Sequence, residues 1–355
     1  MSYKSPLHQM SQTTPTHFWN DNCSRKDLAF AIEHGAVGAT TNPVIVGQVL
    51  ESELDSYVPL IKKLIADNPT ATEDDIAWLV NEQMAVDGAE LLKPVFDATG
   101  GKAGYISIQT NAKYYRDAKK MADQAEYFKS LAPNIMVKMP VSAAGVKAVE
   151  ESTYRGVNVN ATVSFTVPQA LAVAEAVERG LARREKEGLD TSGMQPTCTI
   201  MVGRIEDWLR DVTNRENIIV DPLALDMCGV AVFKNAYRIY KERGYRARLL
   251  AAAYRNHYHW SEFIGGEVSM TIPPNWIQRF VKCDITVENR MDNPVDPALL
   301  AQLHKHYPDF TRAYEPDGMK PEEFDFFGST RATLMQFLNG YDKTISIIRR
   351  FIVNG

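Results

Sequence analysis

Cysteine is scarce in this chain. Cys23, Cys198, Cys228 and Cys283 are the only four among 355 residues, and they lie too far apart for the paired spacing of a zinc site. They read as buried, reduced thiols of a cytoplasmic protein. Long apolar runs are missing as well: none approaches the roughly 20 residues of a membrane span. The polar stretch Met1 to Thr16 has no hydrophobic segment of the kind a secretory signal carries. Positive charge is neither dominant nor clustered. The net charge is -5, and the short cluster Arg183-Arg184-Glu185-Lys186 reads as a solvated helix end, so nothing supports a nucleic-acid surface. No glycine-rich nucleotide fingerprint precedes a helix, which argues against a nicotinamide cofactor. What remains is a chain 45% hydrophobic and 23% charged, ordinary for a globular protein and long enough for one large α/β domain or two smaller ones.

From about Thr16 to about Cys283, short apolar runs alternate with amphipathic stretches. Strands are expected at His17 to Asn22, Ala36 to Asn42, Tyr105 to Thr110, Ile135 to Val141, Val157 to Val163, Thr197 to Val202, Arg248 to Ala253 and Val268 to Ile272. Ser24 is placed to cap a helix beginning at Arg25, and Thr72-Glu73-Asp74-Asp75 is a strong helix start: a capping hydroxyl followed by acids in the first turn. Eight strands separated by helices point to an α/β fold of the (β/α)8 TIM-barrel type, and the span matches its roughly 250 residues. The barrel is expected over residues 1–283. Residues 284–355 begin polar and proline-rich and end in an amphipathic helix from about Thr333 to Val353. They are expected to form a C-terminal, partly helical extension packing on the barrel, with Phe324-Asp325-Phe326-Phe327-Gly328 as a docking point.

One lysine sits where a lysine is costly. Ile135-Met136-Val137-Lys138-Met139-Pro140-Val141 has a single charge, and strands apolar on both sides belong to parallel sheets covered on both faces. Burial disfavours an ammonium, so its pKa should fall toward the physiological range. The neutral amine is then a nucleophile for carbonyl carbon. A lone strand lysine more often reaches water with its head, so the surroundings decide. Barrels of this type keep their chemistry at the C-terminal strand ends, which here offer Asp21, Thr40, Thr41, Asn42, Gln109, Asn160, Thr162, Thr199, Arg204 and Arg255. Any one of the Asx and Thr residues is more often a turn or helix cap. Together they surround a lysine with a carboxylate, two arginines and several hydroxyls and amides.

At this point the sequence resembles a family. Gly38-Ala39-Thr40-Thr41-Asn42-Pro43, Val137-Lys138-Met139-Pro140, Gly156-Val157-Asn158-Val159-Asn160-Ala161-Thr162 and Val202-Gly203-Arg204-Ile205-Glu206-Asp207-Trp208 resemble transaldolases in order and spacing, as far as about Cys283. Gly188-Leu189-Asp190 resembles an insertion in longer members. The resemblance implies a Schiff-base nucleophile at Lys138, an acid/base at Asp21 for the C4 hydroxyl proton, and donor-binding groups at Thr40, Asn42 and Asn160. It implies a threonine holding a catalytic water at Thr162, and a phosphate grip at Arg204 and Arg255 assisted by Thr199. The substrate class implied is a small sugar or sugar phosphate, in an enzyme that needs neither metal nor cofactor and that forms a possible homo-oligomer.

Two departures qualify the resemblance. Transaldolases carry a glutamate where this chain has Gln109, and an amide can orient a water but not shuttle its proton. Glutamine there resembles the fructose-6-phosphate aldolases, which pair it with a tyrosine where this chain has Met201. Ala253 replaces a serine of the phosphate site. The following run, Tyr254-Arg255-Asn256-His257-Tyr258-His259-Trp260, reads as an ordinary rim helix. A sharper alternative gives His257 or His259 a role in recognising another anion, such as a sulfonate. The leading expectation is a transferase moving a dihydroxyacetone unit between a ketose and an aldose. A retro-aldol lyase is the rival within enzymes, and a non-catalytic sugar-phosphate binder the rival outside them.

Overall fold

The computed structural model describes residues 3–354. Eight parallel strands close into a barrel in chain order: β1 (His17–Asn20), β2 (Gly38–Thr40), β3 (Tyr105–Gln109), β4 (Ile135–Pro140), β5 (Val159–Ser164), β6 (Thr197–Met201), β7 (Arg248–Ala252) and β8 (Ser269–Ile272). β1 closes the ring on β8, with His17 opposite Ser269 and Asn20 opposite Ile272. Seven lie inside the stretches read from the sequence, six of them ending one or two residues sooner and β8 ending at the expected Ile272, while β5 runs one residue past the expected Val163 to Ser164. This is the (β/α)8 TIM barrel.

Local chemistry explains the turns. Asn42, Ser142 and Thr166 follow β2, β4 and β5, and each side chain accepts a backbone N–H of the helix it opens. Ser24 does the same for Arg25–Glu33, and Thr72 forms a full capping box with Asp75 at the head of Glu73–Ala98. These caps satisfy donors that a helix start leaves unpaired. The N-terminal segment is more ordered than its polar composition suggests: Pro6–Thr13 is a helix with Leu7 and Met10 buried, and the Met10 sulfur accepts the Trp260 indole N–H. Cys23, Cys198 and Cys228 are buried free thiols, whereas Cys283 is half-buried.

Residues after Cys283 share the apolar core. Val295, Leu303, Tyr307, Phe310, Phe324 and Phe327 belong to one cluster with the barrel's outer face. Polar ties fix the segment: Trp208 donates to Asp309 (2.8 Å), and Asp325 accepts the Ala143 N–H at a helix start (3.0 Å). In the run 324–328, Phe324 and Phe327 are buried while Phe326 is 73% exposed. Gly328 lies flat on Trp208, where a Cβ would come within 2.1 Å of the indole. The last helix, Gly328–Asn354, starts five residues before the expected Thr333. It runs from the helix after β6, past the end of β5, to the helix after β2. It therefore crosses the C-terminal side of the barrel, where the polar strand ends lie.

Candidate active site

Lys138 points into the barrel near the end of β4 and is 3% exposed. Its Nζ donates to the Thr41 carbonyl at 3.0 Å, its one hydrogen bond among the described residues. Burial lowers its pKa below the ordinary lysine value, and the nearby charge of Asp21 partly opposes that shift. Asp21 stands just beyond β1, and burial raises its pKa, with Lys138, a Thr40 hydrogen bond and Arg204 pulling down. The Thr40 hydroxyl donates to Asp21 Oδ1 at 2.6 Å and lies 2.6 Å from the Thr271 hydroxyl. With its proton committed to Asp21, Thr40 must accept from Thr271, so two hydroxyls orient one carboxylate. Environments that push an amine down and a carboxyl up bring both toward neutral pH, where each can exchange protons.

The other strand-end residues divide between two levels. A cavity of about 470 Å³ is lined by Asp21, Asn42, Lys138, Thr162, Arg204 and Arg255, among others. That volume suits a small-molecule site. Asn42 has a double duty: its Oδ1 caps the helix by accepting from Val44 and Ile45, which leaves its NH2 group for the cavity. Thr162 is fully buried, and its hydroxyl has only the Met201 sulfur nearby, at 3.9 Å, so most of its bonding capacity is unspent. Asn160 and Thr199 do not line this cavity. They bond to each other (2.7 Å), and Asn160 donates to Ser107 (3.1 Å), which makes them a polar floor rather than a cavity wall. The expected assistance of Thr199 at a phosphate site is therefore not seen in the geometry. Gln109 stands opposite Lys138 in the β3–β4 register, and its Oε1 is buried without a partner among the described residues.

Backbone strain marks the same level. Val163, directly after Thr162, has φ of 55°, and the β5–β6 register is irregular between Ala161 and Ser164. A β-branched residue in the left-handed region is strained by about 1–3 kcal/mol. Ala253 has φ of 66° at the end of β7. Its carbonyl would lie 1.8 Å from a Cβ at position 203, so Gly203 permits the contact that brings Arg204 and Arg255 to one wall.

The two arginines are not equivalent. Arg255 is clamped by Asp207 through two hydrogen bonds, Nε to Oδ1 at 2.7 Å and Nη2 to Oδ2 at 2.6 Å. Arg204 is mostly buried, 3.9 Å from Asp207, with its Nε unpartnered among the described residues. Arg204 thus has free donors for an oxyanion, and Arg255 is a pre-aligned second charge. The histidine alternative fails on geometry. His259 is fully buried; its Nδ1 accepts the Arg255 N–H at 3.1 Å, and its Nε2 lies 3.4 Å from Glu206. Burial lowers its pKa to about 3, so it is a neutral prop beneath Arg255. His257 points outward toward Ser261 and lines no part of the cavity.

Sequence reasoning missed Asn275, Asp27 and Asn22, which line the rim from helix starts and a loop, Gln48, which lines it from within a helix, and the roles of Asp207 and Thr271. Gln48 sits two turns into a helix, where no local pattern sets it apart. Asp207 was legible only as the third residue after Arg204, a spacing at which side chains on a helix meet.

The closed parallel barrel thus gathers a buried amine, a buried carboxylate and two arginines around one cavity at its C-terminal strand ends. A family model described as Transaldolase/Fructose-6-phosphate aldolase matches residues 18–325, and the chain belongs to that family. Transaldolase 2 of Streptomyces avermitilis is 30% identical over 231 residues, covering 63% of this chain and 60% of that protein. Transaldolase of Thiobacillus denitrificans is 31% identical over 248 residues, covering 66% of this chain and 67% of that protein. For Transaldolase 1 of S. avermitilis the matched share is 51% of its length, so the chain spans little more than half of some relatives it matches. Among the described residues, no helix is long and apolar enough to cross a membrane.

Proposed function

We propose that the protein is a transaldolase-type transferase that forms a Schiff base through Lys138. The carrying observation is the amine itself: buried, bonded only to the Thr41 carbonyl, and facing a cavity that also presents Asp21, Arg204 and Arg255. Burial lowers the pKa of this amine and so favours the neutral form, which is the nucleophile that attacks C2 of a ketose. Addition gives a carbinolamine, and loss of water gives a protonated imine. That imine draws electrons from the C3–C4 bond as Asp21 takes the proton of the C4 hydroxyl. The bond breaks, an aldehyde leaves, and a three-carbon dihydroxyacetone unit remains as an enamine on Lys138. Attack of its C3 on an acceptor aldehyde, with Asp21 returning the proton, forms the new bond. Water then releases the product ketose. Arg204 and Arg255 are the residues for a phosphate at the far end of either sugar, and Asn42 and Thr40 for its hydroxyls. Gln109 and Thr162 are the residues for holding the water used in proton transfer.

One observation favours a second reading. Gln109 cannot relay a proton as a glutamate does, which suits a retro-aldol lyase, in which the enamine is protonated and hydrolysed without an acceptor. Borohydride reduction with fructose 6-phosphate, read by peptide mass, tests the shared chemistry. Transfer predicts an adduct on Lys138, none in Lys138→Ala, and cleavage that stalls without an aldehyde acceptor. Steady cleavage without acceptor selects the lyase. Absence of an adduct with every ketose tried overturns both and leaves a sugar-phosphate binder.

A further inference from the structure

A second, much smaller cavity lies beside the lysine. It measures about 20 Å³ and is walled by Thr41, Asn42, Asn81, Gln109, Tyr341 and Thr344. Asn42 lines both cavities, and the Thr41 carbonyl carries the Lys138 amine. Two of these wall residues, Tyr341 and Thr344, come from the last helix, far from the barrel strands in sequence. A water needs roughly 10–15 Å³ by this measure and two to four polar partners. The partners are there. Gln109 Oε1 is buried and unpartnered among the described residues. The Tyr341 hydroxyl accepts from Trp78 Nε1 (2.9 Å) and donates to Asp74 (2.6 Å), which fixes it and leaves one lone pair. The Asn42 carbonyl is spent on its helix cap, so its NH2 group is the donor that remains.

We infer that this cavity holds a single ordered water, and that Tyr341 is a positioning residue that closes the cavity and aligns Gln109 through that water. The water donates to Gln109 Oε1 and to the free lone pair of Tyr341, and accepts from Asn42. An unanchored carboxamide can rotate. Anchored at its oxygen, it presents its other end in one direction, beside the lysine it faces in the β3–β4 register. The C-terminal helix is then part of the reaction centre rather than a cover over it. The kinetic side of this inference rests on the Schiff-base reading above; the water site itself does not.

The test is Tyr341→Phe, which keeps the ring and removes the hydroxyl. Lys138 should still trap to the wild-type extent with borohydride, and the donor KM should stay within about twofold. Turnover should fall at least about tenfold, because a misaligned partner forfeits part of the roughly 10²–10⁴-fold that proton-transfer groups supply. Gln109→Leu should cost about as much, and the double variant no more than either alone, since the two act through one water. Unchanged turnover in Tyr341→Phe, or losses that multiply in the double variant, overturn the positioning role. A high-resolution crystal structure of the wild-type protein decides the site independently of activity. A water bonded to Gln109 and Tyr341 supports it, and a dry cavity overturns it. If the wild type traps no ketose at all, the Schiff-base reading fails while the crystallographic result still stands.

Discussion

Replacing Lys138 with methionine should stabilise the protein while removing its proposed chemistry. The lysine is 3% exposed, and its nitrogen has a single hydrogen bond, although an ammonium carries three donors. The charged form is therefore both desolvated and under-bonded, and its native pKa lies below the ordinary value of about 10.4. In the unfolded chain the amine stays protonated up to that value. Between the lowered native pKa and about 10.4 the unfolded state binds more protons, so wild-type stability rises with pH across that window. The burial cost is largest below the native pKa and vanishes above the ordinary one. Methionine is similar in length and carries no charge. Exchanging buried ionic groups for well-packed apolar ones can stabilise by about 1–4 kcal/mol. Losing the favourable charge beside Asp21 offsets part of this, leaving about 2 kcal/mol. A chain of 355 residues unfolds with an entropy of about 0.7 kcal/mol/K, so Tm should rise by about 3 °C near neutral pH. The gap should close as pH approaches about 10.4. Thermal unfolding followed by circular dichroism across that range measures it. A variant less stable than wild type at neutral pH, or a gap that ignores pH, refutes the reasoning.

Three further outcomes follow from the geometry. Arg204→Ala should raise the KM for a phosphorylated donor by about 10- to 100-fold, the worth of hydrogen bonds to a charged group, and leave an unphosphorylated ketose nearly unaffected; steady-state kinetics with both donors reads it, and equal losses contradict an oxyanion role. Burial raises the Glu206 pKa to about 7, so wild-type stability should decline as pH rises from about 4.3 to 7 relative to Glu206→Gln; parallel pH–Tm curves would sink the idea. Deleting the chain after Pro316 removes Phe324, Phe327, Phe337, Tyr341 and Ile348 from the core. The truncated protein should lose near-ultraviolet dichroism, bind a hydrophobic dye and change its assembly or activity, and unchanged assembly and kinetics would show that this segment is dispensable.

The strands were legible because they are short apolar runs separated by amphipathic stretches, and the strand-end rule then told where the polar side chains would gather. Depth within the barrel was not legible. Lys138 and Asn160 are register partners, yet one reaches the cavity and the other bonds Thr199 and Ser107 in the floor. That separation depends on side-chain length and on the irregular backbone at Val163, and neither follows from alternation. The rim was obscured for a related reason. The turn at Ala253, with φ of 66°, leads Arg255 to the cavity wall and the buried His259 beneath it, so the run read as an ordinary rim helix supplies a support whose place its sequence does not reveal. The least legible contributor is Tyr341, 203 residues beyond Lys138 on a helix whose buried face is otherwise mostly apolar. Within that helix it reads as one more aromatic of the packing stripe. Only the fold, by laying the helix across the strand ends, places Tyr341 on the small cavity that Gln109 also lines. A barrel concentrates chemistry at strand ends because eight chain segments converge there. Whatever covers that end is placed among the reacting groups too, and its polar atoms must be either satisfied or useful.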